Sequence, residues 1–267
     1  MTTRFDRLGK LVRRGGRSLV GGGGAAPFDP LDLVPIRYLV GDSAYITTDG
    51  GGDVTNWEDQ STAARDYSGV TAIPTYVASD AGLNNQGSLD FAAASSESLR
   101  EVDIPTDIRI LHNGVGGTFV AVLDNDGAGT TQTIFQTLGT ATSASTGLFL
   151  RYSGAGSIRA LVGNSSGIFV SDITGSVAAG SAGILVWRMK SGESPAVDMR
   201  WNGVSIASSA ITGSPASGNP TGTPRIGANA TPAQGYDGRI AAVAVFPWLN
   251  ASQVTQLEDF LAAKYGL

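Results

Sequence analysis

The sequence predicts an all-β protein: an antiparallel β-sandwich of jelly-roll type, closed by one C-terminal helix. Three observations lead there. About a dozen short β-favouring runs are separated by Gly, Asn, Asp and Ser turn signals at short intervals. One pair of runs flanks Asn202-Gly203, the dipeptide preferred at a type I′ hairpin turn. The last run, residues 240–246, is apolar on both faces, and a capped amphipathic segment follows it.

The chain opens on a basic head. Phe5, Leu8, Leu11 and Val12 recur at helical spacing with Arg4, Arg7, Lys10, Arg13 and Arg14 around them. So short a helix is marginal in water and needs a partner surface. Residues 1–24 are therefore expected to be an N-terminal docking arm, extended or helical, with Phe5, Leu8, Leu11, Val12, Arg13 and Arg14 making the contacts. Gly21 to Gly24 form a hinge. Residues 25–35 read as an extended linker, because Pro27, Pro30 and Pro35 bias their predecessors away from helix. Residues 36–267 then form one jelly-roll domain, a size that sandwiches reach undivided.

Tyr38-Leu39-Val40 is the first strand. Further β-type runs follow the glycine bend at 50–52, at 74–77 and at 88–91. Residues 118–123 and 133–138 are joined by Asp124-Asn125-Asp126-Gly127, a turn sequence. Residues 148–152 and 158–162 flank a Gly/Ser loop, and 184–190 precedes the hairpin of 197–206. A regular hairpin register sets Trp201 opposite Val204 and Met199 opposite Ile206, with Arg200 and Ser205 facing the other way.

A strand that is apolar on both faces needs cover on its outer side. The segment after Pro247 supplies it. Asn250 is placed to cap a helix with Gln253 at its third position, Val254, Leu257 and Leu261 form one stripe, and Gly266 stops the helix.

Composition narrows the chemistry. The chain has no cysteine, which excludes disulfides and thiolate zinc sites. His112 is the only histidine, and no serine beside it sits in a nucleophile-elbow motif; it reads as a surface or hydrogen-bonding loop residue. The formal charge is −5, yet the head carries six basic residues against Asp6 alone, so an acidic body that repels nucleic acid bears a basic arm. No apolar run reaches transmembrane length, and the head lacks the apolar core of a signal peptide. The expectation is a protein made and retained in the cytoplasm, or assembled there into something larger.

The order of V-T-N-W-E-D-Q-S, I-P-T-Y-V, S-L-D-F, R-W-N-G-V, R-I-G-A-N and Y-D-G-R-I-A-A-V-A-V-F resembles the concanavalin A-like superfamily. Within it, the sequence is most similar to laminin G-like jelly-roll modules of bacteriophage virion proteins. The resemblance spans residues 28–267 and includes the closing helix. It implies a non-enzymatic virion structural protein, a surface decoration, fibre or tail component located in the virion. Other virion proteins (capsid, portal or tail) would be its partners, with homo-oligomers in the particle. The alternative is a carbohydrate-binding adhesion module for host-surface polysaccharide.

Superfamily relatives include glucanases with a catalytic strand of pattern E-hydrophobic-D-hydrophobic-E. Glu101-Val102-Asp103-Ile104 matches four positions, but Pro105 stands where the second carboxylate belongs. Retaining hydrolysis needs two carboxyl groups, so the run reads as an ordinary strand end and no catalytic residue is assigned. Laminin G-like modules can bind calcium through loop aspartates. Asp124-Asn125-Asp126-Gly127 lacks the glutamate of a calcium loop and reads as a turn, leaving no cofactor or metal site. Trp187 and Trp201 lie in apolar strands and belong to the core, whereas Trp57 and Trp248, near turns, are the candidate glycan contacts.

Overall fold

A computed structural model describes residues 28–267 apart from 71, 127–130, 141, 143, 155, 168, 179 and 230–233. The docking-arm residues Phe5, Leu8, Leu11, Val12, Arg13 and Arg14 lie outside the described residues. The strands in chain order begin with β1 (Arg37–Val40), β2 (Ile46–Thr48), β3 (Val54–Trp57), β4 (Tyr67–Gly69), β5 (Thr75–Asp80) and β6 (Gln86–Phe91). Next come β7 (Leu99–Arg100), β8 (Gly117–Asn125), β9 (Thr131–Gln136), β10 (Thr146–Ser153), β11 (Ser157–Asn164) and β12 (Phe169–Ser176). β13 (Ala182–Met189), β14 (Val197–Trp201), β15 (Val204–Ser209), β16 (Arg225–Ile226) and β17 (Gly238–Pro247) lead to helix α1 (Ala251–Tyr265).

The strands form two antiparallel sheets, a β-sandwich of jelly-roll type. The first runs β15-β14-β13-β8-β17-β6-β5, and β1 also pairs with β17. The second runs β12-β11-β10-β9-β16-β7-β4-β3-β2. Between them lies the main core, with Trp57, Phe91, Phe119, Phe135, Trp187 and Tyr236 among its largest members. β8 and β9 sit in different sheets, so the Asp124–Asp126 stretch begins a crossing between sheets rather than a hairpin.

β17 organises the first sheet. Its first three residues pair with β6 and its later ones with β1, so both strands occupy one flank. They meet where Gly41 abuts Gly87; a Cβ on either would run into the other's backbone carbonyl. A bulge between Ile240 and Ala242 shifts the alternation of side chains. Ile240, Val243 and Val245 enter the main core, and Ala242, Ala244 and Phe246 face outward. There Val254, Leu257, Leu261 and Tyr265 of α1 cover them. The helix starts with the expected capping box between Asn250 and Gln253 and ends at Gly266 in the left-handed region.

Three expectations are corrected. The segment before the first strand is not wholly extended: Pro30–Leu33 forms a 3-10 turn, capped when Asp29 accepts from Leu31 N–H at 3.0 Å. Phe28, Leu31 and Leu33 pack beneath the helix, so this stretch belongs to the body. In the hairpin, Asn202 and Gly203 both take positive φ, as a type I′ turn requires, and Trp201 pairs with Val204. A bulge between Met199 and Arg200 then sets Met199 opposite Ala207, not Ile206. β2, β4 and β12, which no run had marked, complete the second sheet.

Candidate functional site

The two outer faces of the sandwich differ. α1 and the 28–33 segment seal the first sheet. Among the described residues no helix packs on the second. Its register assembles one row of outward positions across eight strands. Asn56 pairs with Ser68, Ser68 with Arg100, Arg100 with Arg225, and Arg225 with Gln136. Gln136 continues to Phe149, Phe149 to Leu161, and Leu161 to Asp172. A parallel row pairs Thr133 with Arg151, Arg151 with Arg159, and Arg159 with Thr174. The alternation of β10 sets Phe149 and Arg151 on this face while Leu148, Leu150 and Tyr152 enter the core.

The chemistry of this face is unbalanced. Arg159 is held by Asp172 through two bonds of 2.8 and 2.7 Å. Arg100, Arg151 and Arg225 are half-buried and have no carboxylate partner among the described residues. The Arg151 guanidinium lies 5.3 Å above the Phe149 ring. Burial, and then neighbouring Arg100, lowers the pKa of Arg225. Burial and then Arg159 do the same to Arg151. Buried polar atoms without a partner accompany them: the oxygens Thr133 Oγ1, Gln136 Oε1, Asn229 Oδ1 and Gln234 Oε1, and the donor Arg151 Nε. Thr133 N–H donates to the Gln234 carbonyl at 3.0 Å, which ties that loop to the same face. Unpaired buried polar groups are rare in folded proteins, and several here share one stretch of sheet.

A concavity of about 250 Å³ lies at the edge near the Gly41–Gly87 junction. Asp42, Tyr76, Asn85, Gln86 and Lys264 line it, and the Tyr76 hydroxyl donates to the Gly41 carbonyl at 3.2 Å.

The residues singled out in the sequence lie elsewhere. Trp57 is no surface ring: it is fully buried, and its Nε1 donates to the Val40 carbonyl at 2.8 Å. β3 turns it inward, opposite buried Tyr67. Trp248 is half-buried on the helix-bearing side, under Arg188 at 4.9 Å and Lys190 at 5.5 Å. His112 is not on the surface either. It is fully buried, with Nε2 donating to the Gly218 carbonyl at 3.0 Å, and burial lowers its pKa. Glu101 is more than a strand end: it is buried against Arg37, while Asp103 is exposed. Trp187 and Trp201 are core residues as expected. Asp124 and Asp80 flank the guanidinium of Arg239, at 3.9 and 3.3 Å. Asn125 donates to Gln132 Oε1 at 2.6 Å, and Gly127 lies outside the described residues. Among the described residues no group of three His, Asp or Glu side chains is placed to hold a metal, and no helix is long and apolar enough to cross a membrane.

No family model matches the chain, and no curated protein matches it. Solved structures do. Domain 4 of AbnA, a GH43 extracellular arabinanase from Geobacillus stearothermophilus in complex with arabinotriose, aligns with TM-score 0.56 and 13% identity over 84% of this chain and 98% of that one. A structure of botulinum neurotoxin type C, which depends on two ganglioside molecules to enter cells, gives 0.55 and 9% over 86% and 52%. The binding domain of botulinum neurotoxin DC in complex with SialylT gives 0.54 and 9% over 85% and 52%. The chain thus spans about half the length of the neurotoxin chains. At such identities the likeness establishes a shared β-sandwich fold.

Proposed function

We propose that this protein is a carbohydrate-binding β-sandwich module. One observation carries the reading: the face of the second sheet, uncovered by any described helix, presents a cross-strand row from Asn56 to Gln136 with adjoining acceptors unsatisfied. Sugar hydroxyls both donate and accept, so they suit a surface of arginine donors and Thr and Gln acceptors. The likeness to a sandwich solved in complex with arabinotriose, and to a neurotoxin whose cell entry depends on two ganglioside molecules, supports the same reading. The test is a glycan array probed with the full chain, with calorimetry on each hit. A folded protein that binds no glycan sinks the proposal.

The finer reading is a concanavalin A-like, laminin G-like module displayed on a bacteriophage virion, attaching to host-surface polysaccharide without catalysis of its own. The motif order supports it, as does the basic head with its glycine hinge, which would dock the module to capsid, portal or tail proteins in repeated copies. The engagement of Glu101 by Arg37 supports the non-enzymatic part, since a carboxylate only 2% exposed and held in an internal ion pair is not presented to a substrate. Deleting residues 1–24 should leave the melting temperature unchanged and remove the protein from purified particles. Incorporation at normal copy number would assign docking to the body instead.

A further inference from the structure

We infer that the outer face of the second sheet takes an acidic polysaccharide, a chain bearing carboxylate or sulfate groups, between the facing pairs Arg100–Arg225 and Arg151–Arg159. This rests on the carbohydrate-binding reading and narrows it to a substrate class.

Two like-charged pairs stand directly opposite each other across strands: Arg100 against Arg225, and Arg151 against Arg159. Facing like charges destabilise a sheet. Only Arg159 is bonded to a carboxylate, Asp172, which acts on Arg151 from further away. The other three guanidinium groups are half-buried without a bonded carboxylate among the described residues, although the chain is acidic overall, at −5. Acidic side chains are therefore plentiful, yet on this stretch only Asp172 bonds one of the four arginines. An oxyanion set between facing arginines would accept two planar N–H forks at once, a geometry for which guanidinium is better suited than ammonium.

The second observation is the buried polar groups between the two pairs. Gln136 follows Arg225 in the row and is 1% exposed, and Thr133 faces Arg151 and is fully buried. Each has an oxygen without a partner, and the Arg151 Nε–H donor has none either. A hydroxyl can accept from one of these groups and donate to another, so a saccharide would satisfy what a bare phosphate or sulfate leaves open. The anion answers the arginines, and the sugar hydroxyls answer Thr133 and Gln136.

The test is calorimetric titration of the full chain with polygalacturonate, dextran sulfate, neutral arabinan and double-stranded DNA, at low and high salt. The expected result is binding of one or both acidic polysaccharides, weakened by salt, with neutral arabinan and DNA much weaker. The Arg100→Ala/Arg225→Ala double variant should lose affinity at least about tenfold, as for loss of a charged hydrogen bond. Lys264→Ala, at the edge pocket, should leave affinity unchanged. Both proteins should keep their melting temperatures, since a repulsive pair is removed. If the double variant unfolds, Arg151→Gln replaces it with the same expected loss. Neutral arabinan binding as tightly, or arginine variants binding like wild type, would overturn this inference and leave the carbohydrate reading standing. No saccharide binding, or DNA binding alone, would overturn both.

Discussion

Arg37, fully buried at the start of β1, donates Nε and Nη2 to the two carboxylate oxygens of Glu101 at 2.6 and 3.0 Å. Nη1 and Nη2 also reach Asp107, at 3.1 and 3.2 Å. The bridge links the first sheet to the stretch that follows β7 of the second, and Glu101 is itself only 2% exposed. Removing one partner of such a pair strands a charge in the interior. Glu101→Ala is expected to cost about 3–5 kcal/mol in denaturant unfolding. A loss below about 1 kcal/mol would mean that Asp107 suffices for Arg37.

Trp201 closes the hairpin end of the core. It is 8% exposed, and its indole lies where a Cβ on Gly183 would be. Trp201→Ala should therefore destabilise the protein by about 3–5 kcal/mol, read from the unfolding midpoint. An unmoved midpoint would show that the ring contributes little to the core.

The junction of β1 and β6 depends on two glycines. Gly41 and Gly87 have no positive φ, so their requirement is space alone. Gly87→Ala should cost about 1–3 kcal/mol, the range for overpacking. If thermal unfolding of this variant matches wild type, the backbones are not in the close contact described.

His112 makes stability depend on pH. Burial holds its folded pKa below the ordinary 6.5, so the unfolded chain binds the proton more readily. Its contribution is intact above pH 6.5 and is lost as pH falls below that value towards the lowered folded pKa. Asp90, Glu97 and Asp124, raised by burial, act with the opposite sign. The readout is thus the difference between wild type and His112→Gln. Wild type should lose stability relative to the variant between pH 7.5 and 5.5, and parallel curves would remove His112 as the group responsible.

Local signals account for what the sequence by itself determined. The Asn202-Gly203 turn, the Asn250–Gln253 capping box, the Gly266 stop and the doubly apolar 240–246 run each need only neighbours within a few residues. From them followed the sandwich class and the helix that covers its last strand. The tertiary structure alone decided what depends on distant partners. Trp57 is buried because the Val40 carbonyl meets its indole, and His112 because the Gly218 carbonyl meets its ring. β7 and β16 are two residues long, too short for any periodicity, so nothing local could mark Arg100 and Arg225 as neighbours. Which strands lie side by side, and hence which arginines face each other without a carboxylate, is a property of long-range register, set when the whole core packs at once.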